Sequence, residues 1–289
     1  MRQEMVIHLL VSGLIPYDSG KTTFAVSLAK KLKMSASVHP FKPVSAHSIF
    51  TQSWSFEESY RRGYLIGGDA LIYERELGLM ERDLLRINPI DFLLSPISSP
   101  TVLTREELNE YMKSMENQLK TMAVARITDC QDGRSKHYLI VDNIDSFPSK
   151  IRNKIDDFSR KVNSEKEEIS ELLKLMRSRE IERNLDTCLD YLEKNSRIVI
   201  TESFSDSLYP YAGILGRANM IAVVAPGKAY IYLDASKVQS LISTGKISPE
   251  EPRSVSLLLH SQPDFWEDLS LGDPISAESK ILSRILSSL

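Results

Sequence analysis

Cysteine is scarce in this chain. Only two of its 289 residues are cysteines, Cys130 and Cys188, so it cannot build a disulfide framework or a cysteine-rich zinc site. Proteins of the reducing cytoplasm keep isolated cysteines as thiols, and we expect both residues to be reduced in a cytoplasmic protein. The five histidines have no spacing typical of a metal site.

The chain also lacks an excess of one charge and any long hydrophobic run. Its 36 basic and 39 acidic residues give a formal net charge of −3. This charge argues against a positive potential over the whole surface, which would attract nucleic acid or an anionic membrane. The apolar run at residues 5–11 contains His8, and it is too short for a membrane span or a signal peptide. We therefore expect a soluble protein with no membrane partner.

Short apolar segments alternate with helical patterns along the chain. Apolar segments rich in β-branched residues predict strands, and an apolar face such as Phe24, Leu28 and Leu32 predicts a helix. The predicted strands are residues 6–11, 37–44, 138–141, 197–200, 220–224 and 254–259, and the predicted helices are residues 22–33, 56–80 and 104–125. Because such alternation is typical of sheets covered by helices, we predict one α/β domain over residues 1–289, with a doubly wound, mostly parallel sheet.

One segment is much richer in charge than the rest. Residues 150–194 contain 22 charged residues, 11 of each sign. Apolar residues such as Ile155, Phe158 and Val162 recur through it at heptad-like spacing. We predict a helical insertion over residues 150–195 that packs on the main sheet. It is either a solvated surface or an arm that binds a partner, including a second copy in a homodimer.

The loop after the first predicted strand has the features of a phosphate-binding loop. Gly20, Lys21 and Thr22 follow one another directly before the first predicted helix. In such loops the backbone N–H groups hold phosphate, the lysine reaches the β and γ phosphates, and the hydroxyl binds Mg²⁺. The predicted nucleotide-binding residues are Gly13, Asp18, Ser19, Gly20, Lys21, Thr22 and Thr23.

The spacing of this loop departs from the usual pattern. Its first glycine lies seven residues before Gly20, and Ile15 stands where a glycine is usual. Pro16 has no N–H to offer a phosphate. We therefore expect a wider loop, in which Tyr17 or Asp18 faces the substrate.

Three further segments follow the loop in order. They are Lys42-Pro43-Val44, Gly68-Asp69-Ala70-Leu71, and an Asn-Pro segment at residues 88–96. This succession resembles the dethiobiotin synthetase and cobyric or cobyrinic acid synthetase group of P-loop proteins, over about residues 5–145 and 197–230. The resemblance implies a P-loop fold and a reaction that uses ATP and Mg²⁺.

The resemblance also implies roles for individual residues. Lys21 and Lys42 would be catalytic, with Lys21 on the phosphates and Lys42 holding an acidic substrate near the γ-phosphate. The Mg²⁺ ligands would be a hydroxyl and acids: Thr22, Asp69 and either Asp142 or Glu202, which both end predicted middle strands. Each of these residues also has a purely structural alternative. Lys42 would then be a charge exposed to solvent, and Asp69 would be the N-cap of a helix. The two acids at the strand ends would cap loops. His47, three residues after Val44, is a further candidate site residue.

These observations favour an ATP-dependent enzyme. We predict that it binds and hydrolyses ATP with Mg²⁺ and phosphorylates a carboxylate or carbamate, as dethiobiotin synthetase does; its partners would be the nucleotide and a small-molecule acid. The alternative is a regulatory ATPase or GTPase switch that acts through a protein partner, which the charged segment favours. A polynucleotide kinase is a third possibility that the balanced charge disfavours.

Overall fold

Two β-sheets form the framework of the chain in the computed structural model, which describes residues 6–101 and 104–289. The strands of the first sheet lie in the order β2 (Val38–Phe41), β8 (Ile198–Glu202), β1 (Ile7–Gly13), β9 (Met220–Ala225), β10 (Lys228–Tyr232) and β11 (Phe265–Asp268). The first four of these are parallel to one another, and β10 and β11 are added antiparallel.

The second sheet is mixed. Its strands lie in the order β3 (Val44–Ser48), β4 (Ile90–Leu94), β5 (Met122–Thr128), β6 (Ser135–Ile140) and β7 (Glu165–Glu167). β3 is parallel to β4 and β6 to β7, whereas the pairs β4–β5 and β5–β6 are antiparallel. The predicted α/β class is therefore confirmed, and the prediction of one mostly parallel sheet is wrong.

The division into two sheets begins at residues 42 and 43. The predicted strand at 37–44 ends at Phe41, and the chain enters the second sheet at Val44. Pro43 has no N–H for a ladder, and its carbonyl accepts from Ile90 of the second sheet at 3.2 Å. The break thus turns Lys42 to the ends of the first sheet's strands while the backbone moves to the second sheet.

Helices cover both faces of both sheets. They are α1 (Lys21–Leu32), α2 (Ser53–Arg62), α3 (Gly68–Leu77), α4 (Glu81–Ile87), α5 (Arg105–Glu116), α6 (Gln118–Thr121), α7 (Ser149–Lys161), α8 (Ile169–Met176), α9 (Arg179–Lys194), α10 (Ser236–Ser243), α11 (Ser254–His260) and α12 (Lys280–Leu286). α1, α3 and α12 pack on the outer face of the first sheet, and α2 and α7 pack on the outer face of the second.

The later part of the charged insertion is built into the core between the sheets, whereas its first helix packs on the outer face of the second sheet. Residues 150–195 form most of α7, then β7, α8 and α9. Leu185 and Leu189 of α9 belong to the same buried cluster as Leu10 of the first sheet and Phe92 of the second. The prediction of helices in this segment is thus confirmed. α9, however, forms a layer of the core that both sheets contact, and β7 is a strand that the periodicity did not predict.

Two further local predictions are wrong. Residues 254–259 form helix α11 and not a strand, because Ser254 and Leu257 are buried at helical spacing while Leu259 is exposed. Helix was predicted as far as residue 125, but β5 already begins at Met122, and its seven residues are all buried.

The two cysteines are joined. Cys130, just after β5, forms a disulfide with Cys188 of α9, with their Cα atoms 5.0 Å apart. This corrects the expectation of two reduced thiols. The cysteines lie 58 positions apart in the sequence, and only the fold brings them together. Across residues 6–101 and 104–289, no helix has the length and apolar character needed to cross a membrane.

Candidate functional site

The predicted phosphate loop lies at the carboxyl end of β1. β1 pairs in parallel with β8 on one side and β9 on the other, so the ends of three strands meet here. The chain runs from Gly13 through the loop to the first turn of α1 at Lys21. Strand ends where the connections diverge to opposite sides are where open α/β sheets bind ligands.

The loop presents unpaired backbone donors to a cleft. The amides of residues 19–23 donate to no acceptor in the described part of the chain, and Gly20 precedes α1 with a left-handed backbone, φ 88°. The loop lines a cleft of about 780 Å³ together with β3 of the second sheet. All the predicted loop residues from Asp18 to Thr23 lie along this cleft, and their free amides at a helix N-terminus favour an anion.

Lys21 folds back over the start of the loop. Its Nζ donates to the Ser205 carbonyl at 2.8 Å and to Ser19 Oγ at 3.2 Å. A Cβ at residue 13 would lie 2.6 Å from that Nζ, so Gly13 gives Lys21 the space to fold back. Burial, and then the positive charge of Lys42, lowers the pKa of Lys21.

Three oxygen-bearing side chains from different elements converge beside Lys21. Thr22 Oγ1, at the start of α1, lies 3.0 Å from Glu202 Oε1 at the end of β8 and 3.1 Å from Asp69 Oδ1 at the start of α3. Glu202 is buried and the Asp69 side chain is 30% exposed. The structure therefore brings together three of the four predicted metal ligands.

Lys42 lies between the two carboxylates. Its Nζ is 2.7 Å from Glu202 Oε1 and 3.3 Å from Asp69 Oδ2, and it donates to the Ser203 carbonyl at 2.9 Å. Burial opposes the charge of this ammonium group, but the two carboxylates outweigh burial and raise the pKa of Lys42. Lys42 is thus a buried, paired charge, and the alternative of a solvated lysine is wrong.

Tyr73 is a site residue that the sequence analysis missed. Its hydroxyl donates to Glu202 Oε2 at 2.6 Å, so Glu202 is held through both of its oxygens. Burial, followed by the negative charge of Glu202, raises the pKa of Tyr73 well above its ordinary value. Tyr73 lies four residues after Asp69 on α3, and this i, i+4 spacing could have indicated that both face the site.

The donor set suits a magnesium ion. Mg²⁺ prefers oxygen ligands and takes one or two protein carboxylates along with water and phosphate. Asp69, Glu202 and Thr22 supply two carboxylates and a hydroxyl. Within the described ranges no group of three or more His, Cys, Asp or Glu side chains could hold a metal, so this set would need non-protein ligands as well.

Asp142 is not part of this arrangement. It follows β6 in the second sheet, where it lies in the first turn of a 3₁₀ helix (Val141–Ser146). Its Oδ2 accepts from the Ile169 N–H at 2.6 Å, and it does not line the cleft. Of the two strand-end acids, the structure therefore places only Glu202 with Thr22 and Asp69.

The opposite wall of the cleft comes from the second sheet. Residues 45–48 of β3 and Leu94 of β4 line it, and so does Gln118, whose Nε2 donates to the Tyr17 hydroxyl at 3.3 Å. His47 belongs to this wall and is 2% exposed. The sequence did not indicate this wall, because it depends on the passage from one sheet to the other at Pro43.

Comparison of the chain with models of protein families, with curated proteins and with solved structures finds no match.

Proposed function

We propose that this chain binds a nucleoside triphosphate with Mg²⁺, ATP being the expected nucleotide, and uses it for hydrolysis or phosphoryl transfer. One observation carries the proposal: Lys21, Thr22, Asp69 and Glu202 meet at the end of a loop with free backbone amides. Phosphate is bound by hydrogen-bond donors and cations, which the backbone amides and Lys21 supply. Mg²⁺ is bound by oxygen ligands, which Thr22, Asp69 and Glu202 supply. The cluster therefore matches both parts of a Mg²⁺–nucleotide complex.

Each residue has a defined task in this proposal. The amides of residues 19–23 and the Lys21 ammonium bind the phosphates, while Thr22, Asp69 and Glu202 hold the metal. The metal, when bound, neutralises charge on the phosphates. Tyr73 keeps Glu202 in place by its hydrogen bond of 2.6 Å. Catalysis then rests mainly on positioning and on charge neutralisation.

The position of Lys42 favours a synthetase function in which the acceptor substrate is an acid. Lys42 is the second ammonium group of the site, and its partners Asp69 and Glu202 are the proposed metal ligands. A metal on those carboxylates leaves Lys42 free to pair with another anion, such as a carboxylate or carbamate. This is the role that the resemblance to dethiobiotin synthetase implies for it.

A regulatory ATPase or GTPase remains the alternative function. The same phosphate loop and metal ligands would serve a switch, and the two functions differ in what accelerates turnover. A small acid that stimulates nucleotide hydrolysis supports the synthetase, whereas stimulation by a protein alone supports the switch.

The test compares three lysine variants. Lys21→Ala should lower Mg²⁺-dependent ATP turnover by about 100-fold or more, because it removes a donor to the phosphates. Lys42→Met should keep the affinity for ATP and lose turnover. Lys113→Ala, on an exposed position of α5, is the matched control and should behave like the unaltered chain. Nucleotide affinity by titration calorimetry and ADP release are the measurements.

Circular dichroism and thermal unfolding of each variant separate loss of function from loss of fold. The proposal fails when the unaltered chain neither binds nor turns over any nucleoside triphosphate with Mg²⁺. Equal losses of nucleotide affinity in Lys21→Ala and Lys42→Met would contradict the separate roles of the two lysines.

A further inference from the structure

The two carboxylate oxygens of Glu202 have different surroundings. Oε1 faces the cluster in the cleft, where it lies 3.0 Å from Thr22 Oγ1 and 2.7 Å from Lys42 Nζ. Oε2 accepts a hydrogen bond of 2.6 Å from the hydroxyl of Tyr73, because a carboxylate has no proton to donate. One oxygen of this acid is therefore open to the site, and the other is occupied by a tyrosine.

The position of the Tyr73 hydroxyl is fixed by packing. Tyr73 is completely buried on α3, in the same apolar cluster as Phe24 and Leu28 of α1. Side chains in such close-packed cores have no space to swing away. The ring of Tyr73 thus holds its hydroxyl against Oε2.

Glu202 is equally confined. It lies opposite Val11 in the parallel ladder of β8 and β1, and the next residue, Ser203, donates its N–H to the Val11 carbonyl at 2.9 Å. Its side chain is almost completely buried, and Tyr73 is the hydrogen-bond donor to Oε2 in the described part of the chain. Turning both oxygens towards the cleft would leave the buried Tyr73 hydroxyl without a partner, which is unfavourable.

Asp69, the other acid of the site, has no such restriction. Its side chain is partly exposed, with Oδ1 3.1 Å from Thr22 Oγ1 and Oδ2 3.3 Å from Lys42 Nζ. Both of its oxygens therefore face groups of the site. α3 thus carries an acid with two accessible oxygens and, one turn later, the tyrosine that occupies one oxygen of the other acid.

This difference matters for the choice of ion. Mg²⁺ is small and takes about six oxygen ligands in a strict octahedral arrangement, whereas Ca²⁺ takes about six to eight and often both oxygens of one carboxylate. An acid that can offer a single oxygen satisfies Mg²⁺ as well as before. The same acid denies Ca²⁺ one of its preferred ligands.

We propose that Tyr73 sets the ion preference of the site: by holding Oε2 it restricts Glu202 to one ligand oxygen and makes the site select Mg²⁺ over Ca²⁺. This rests on the proposed function and adds to it a residue that determines specificity for the ion. Tyr73 does not line the cleft, and it acts through Glu202 as a positioning residue.

The test uses Tyr73→Phe, which removes the hydroxyl and keeps the ring. Titration calorimetry with the Mg²⁺ and the Ca²⁺ complex of the β,γ-imido analogue of ATP, which is not hydrolysed, measures two affinities without any turnover. The unaltered chain should bind the Mg²⁺ complex more tightly. The variant should reduce this preference by about 10-fold or more, the usual size of an effect from a group that orients a metal ligand.

Tyr211→Phe is the matched control. Tyr211 is also buried, and its hydroxyl donates to a carboxylate, Asp186 Oδ1, at 3.0 Å, but neither residue lines the cleft. This variant should keep the preference of the unaltered chain. Infrared difference spectra with the Ca²⁺ complex provide a second readout: Tyr73→Phe alone should gain the bands of a carboxylate that binds through both oxygens.

A merely structural role of Tyr73 would weaken both complexes alike. Such a parallel loss, or an unchanged preference in a folded Tyr73→Phe, overturns the role of Tyr73 and leaves the proposed function standing. Should the variant not fold, the unaltered chain decides, since equal affinities for its Mg²⁺ and Ca²⁺ complexes also overturn this role. An unaltered chain that binds neither complex contradicts the proposed function, and the role of Tyr73 with it.

Discussion

At the scale of single residues, charge balance explains the composition of the site. Lys21 and Lys42 are 8% and 3% exposed, and an unpaired buried ammonium group is strongly unfavourable. Asp69 and Glu202 balance them, so the cluster is neutral before any ligand binds. Removing Glu202 alone would leave Lys42 without its nearest partner, and the resulting loss of stability would be confused with a loss of metal binding.

His137 makes the stability of the chain sensitive to acid. It is buried on β6, where Nε2 accepts from the Leu65 N–H at 3.0 Å. Burial, and then the charge of Arg126, lowers the pKa of His137 to about 3. The unfolded chain binds a proton here below about pH 6.5 and the folded chain does not, so this contribution to stability is lost as the pH falls from about 6.5 towards 3.

The measurement is the free energy of unfolding in denaturant as a function of pH. The slope that His137 adds is at most about 1.4 kcal/mol per pH unit. His137→Gln keeps an acceptor for the Leu65 amide and does not titrate, so its stability should fall less steeply between pH 6.5 and 4. Identical slopes for the two proteins would contradict a neutral His137.

The site residues that could be predicted from the sequence are those that a short local pattern identifies. Lys21 and Thr22 belong to one short motif, and Glu202 ends an apolar strand, so the sequence alone could indicate them. The contact of Tyr73 with Glu202 joins distant segments of the chain, and so does the placement of His47 in the wall of the cleft. Asp142 has the same local pattern as Glu202, and only the assignment of its strand to the second sheet removes it from the site.

At the scale of elements, the number of charges in residues 150–194 was a weaker guide than their spacing. α9 has its charged side chains on one side and a continuous buried face on the other, formed by Ile181, Leu185, Cys188, Leu189 and Leu192. Such an apolar stripe is typical of a helix packed against a core. The periodicity was visible in the sequence, but the surface that it covers requires two sheets, which the sequence did not predict.

This packing predicts the effect of truncating α9. Leu189→Ala should lower the free energy of unfolding by about 2–5 kcal/mol, because it removes buried atoms and leaves a cavity between the sheets. Arg183→Ala, on the exposed side of the same helix, should change it by no more than about 0.5 kcal/mol. Equal and small effects of the two substitutions would mean that the segment is a solvated arm after all.

At the scale of the whole molecule, the candidate site lies where the two sheets meet. One wall of the cleft carries the phosphate loop of the first sheet, and the other carries His47 and its neighbours on β3. α9 packs between the sheets, and the pair Cys130–Cys188 ties this helix covalently to the chain that leaves β5. The geometry of the cleft therefore depends on how firmly the second sheet is held to α9.

The disulfide should contribute to the stability of the whole fold. It closes a loop over 58 residues, and the loss of chain entropy in the unfolded state corresponds to about 4 kcal/mol. Alkylation of the denatured chain should modify no cysteine without reductant and two with it, as counted by mass spectrometry. The double variant Cys130→Ala/Cys188→Ala should unfold at lower denaturant, and reductant should destabilise the unaltered chain but not this variant. Two free thiols in protein purified without reductant, or equal stability of the two proteins, would mean that packing alone holds α9 to the second sheet.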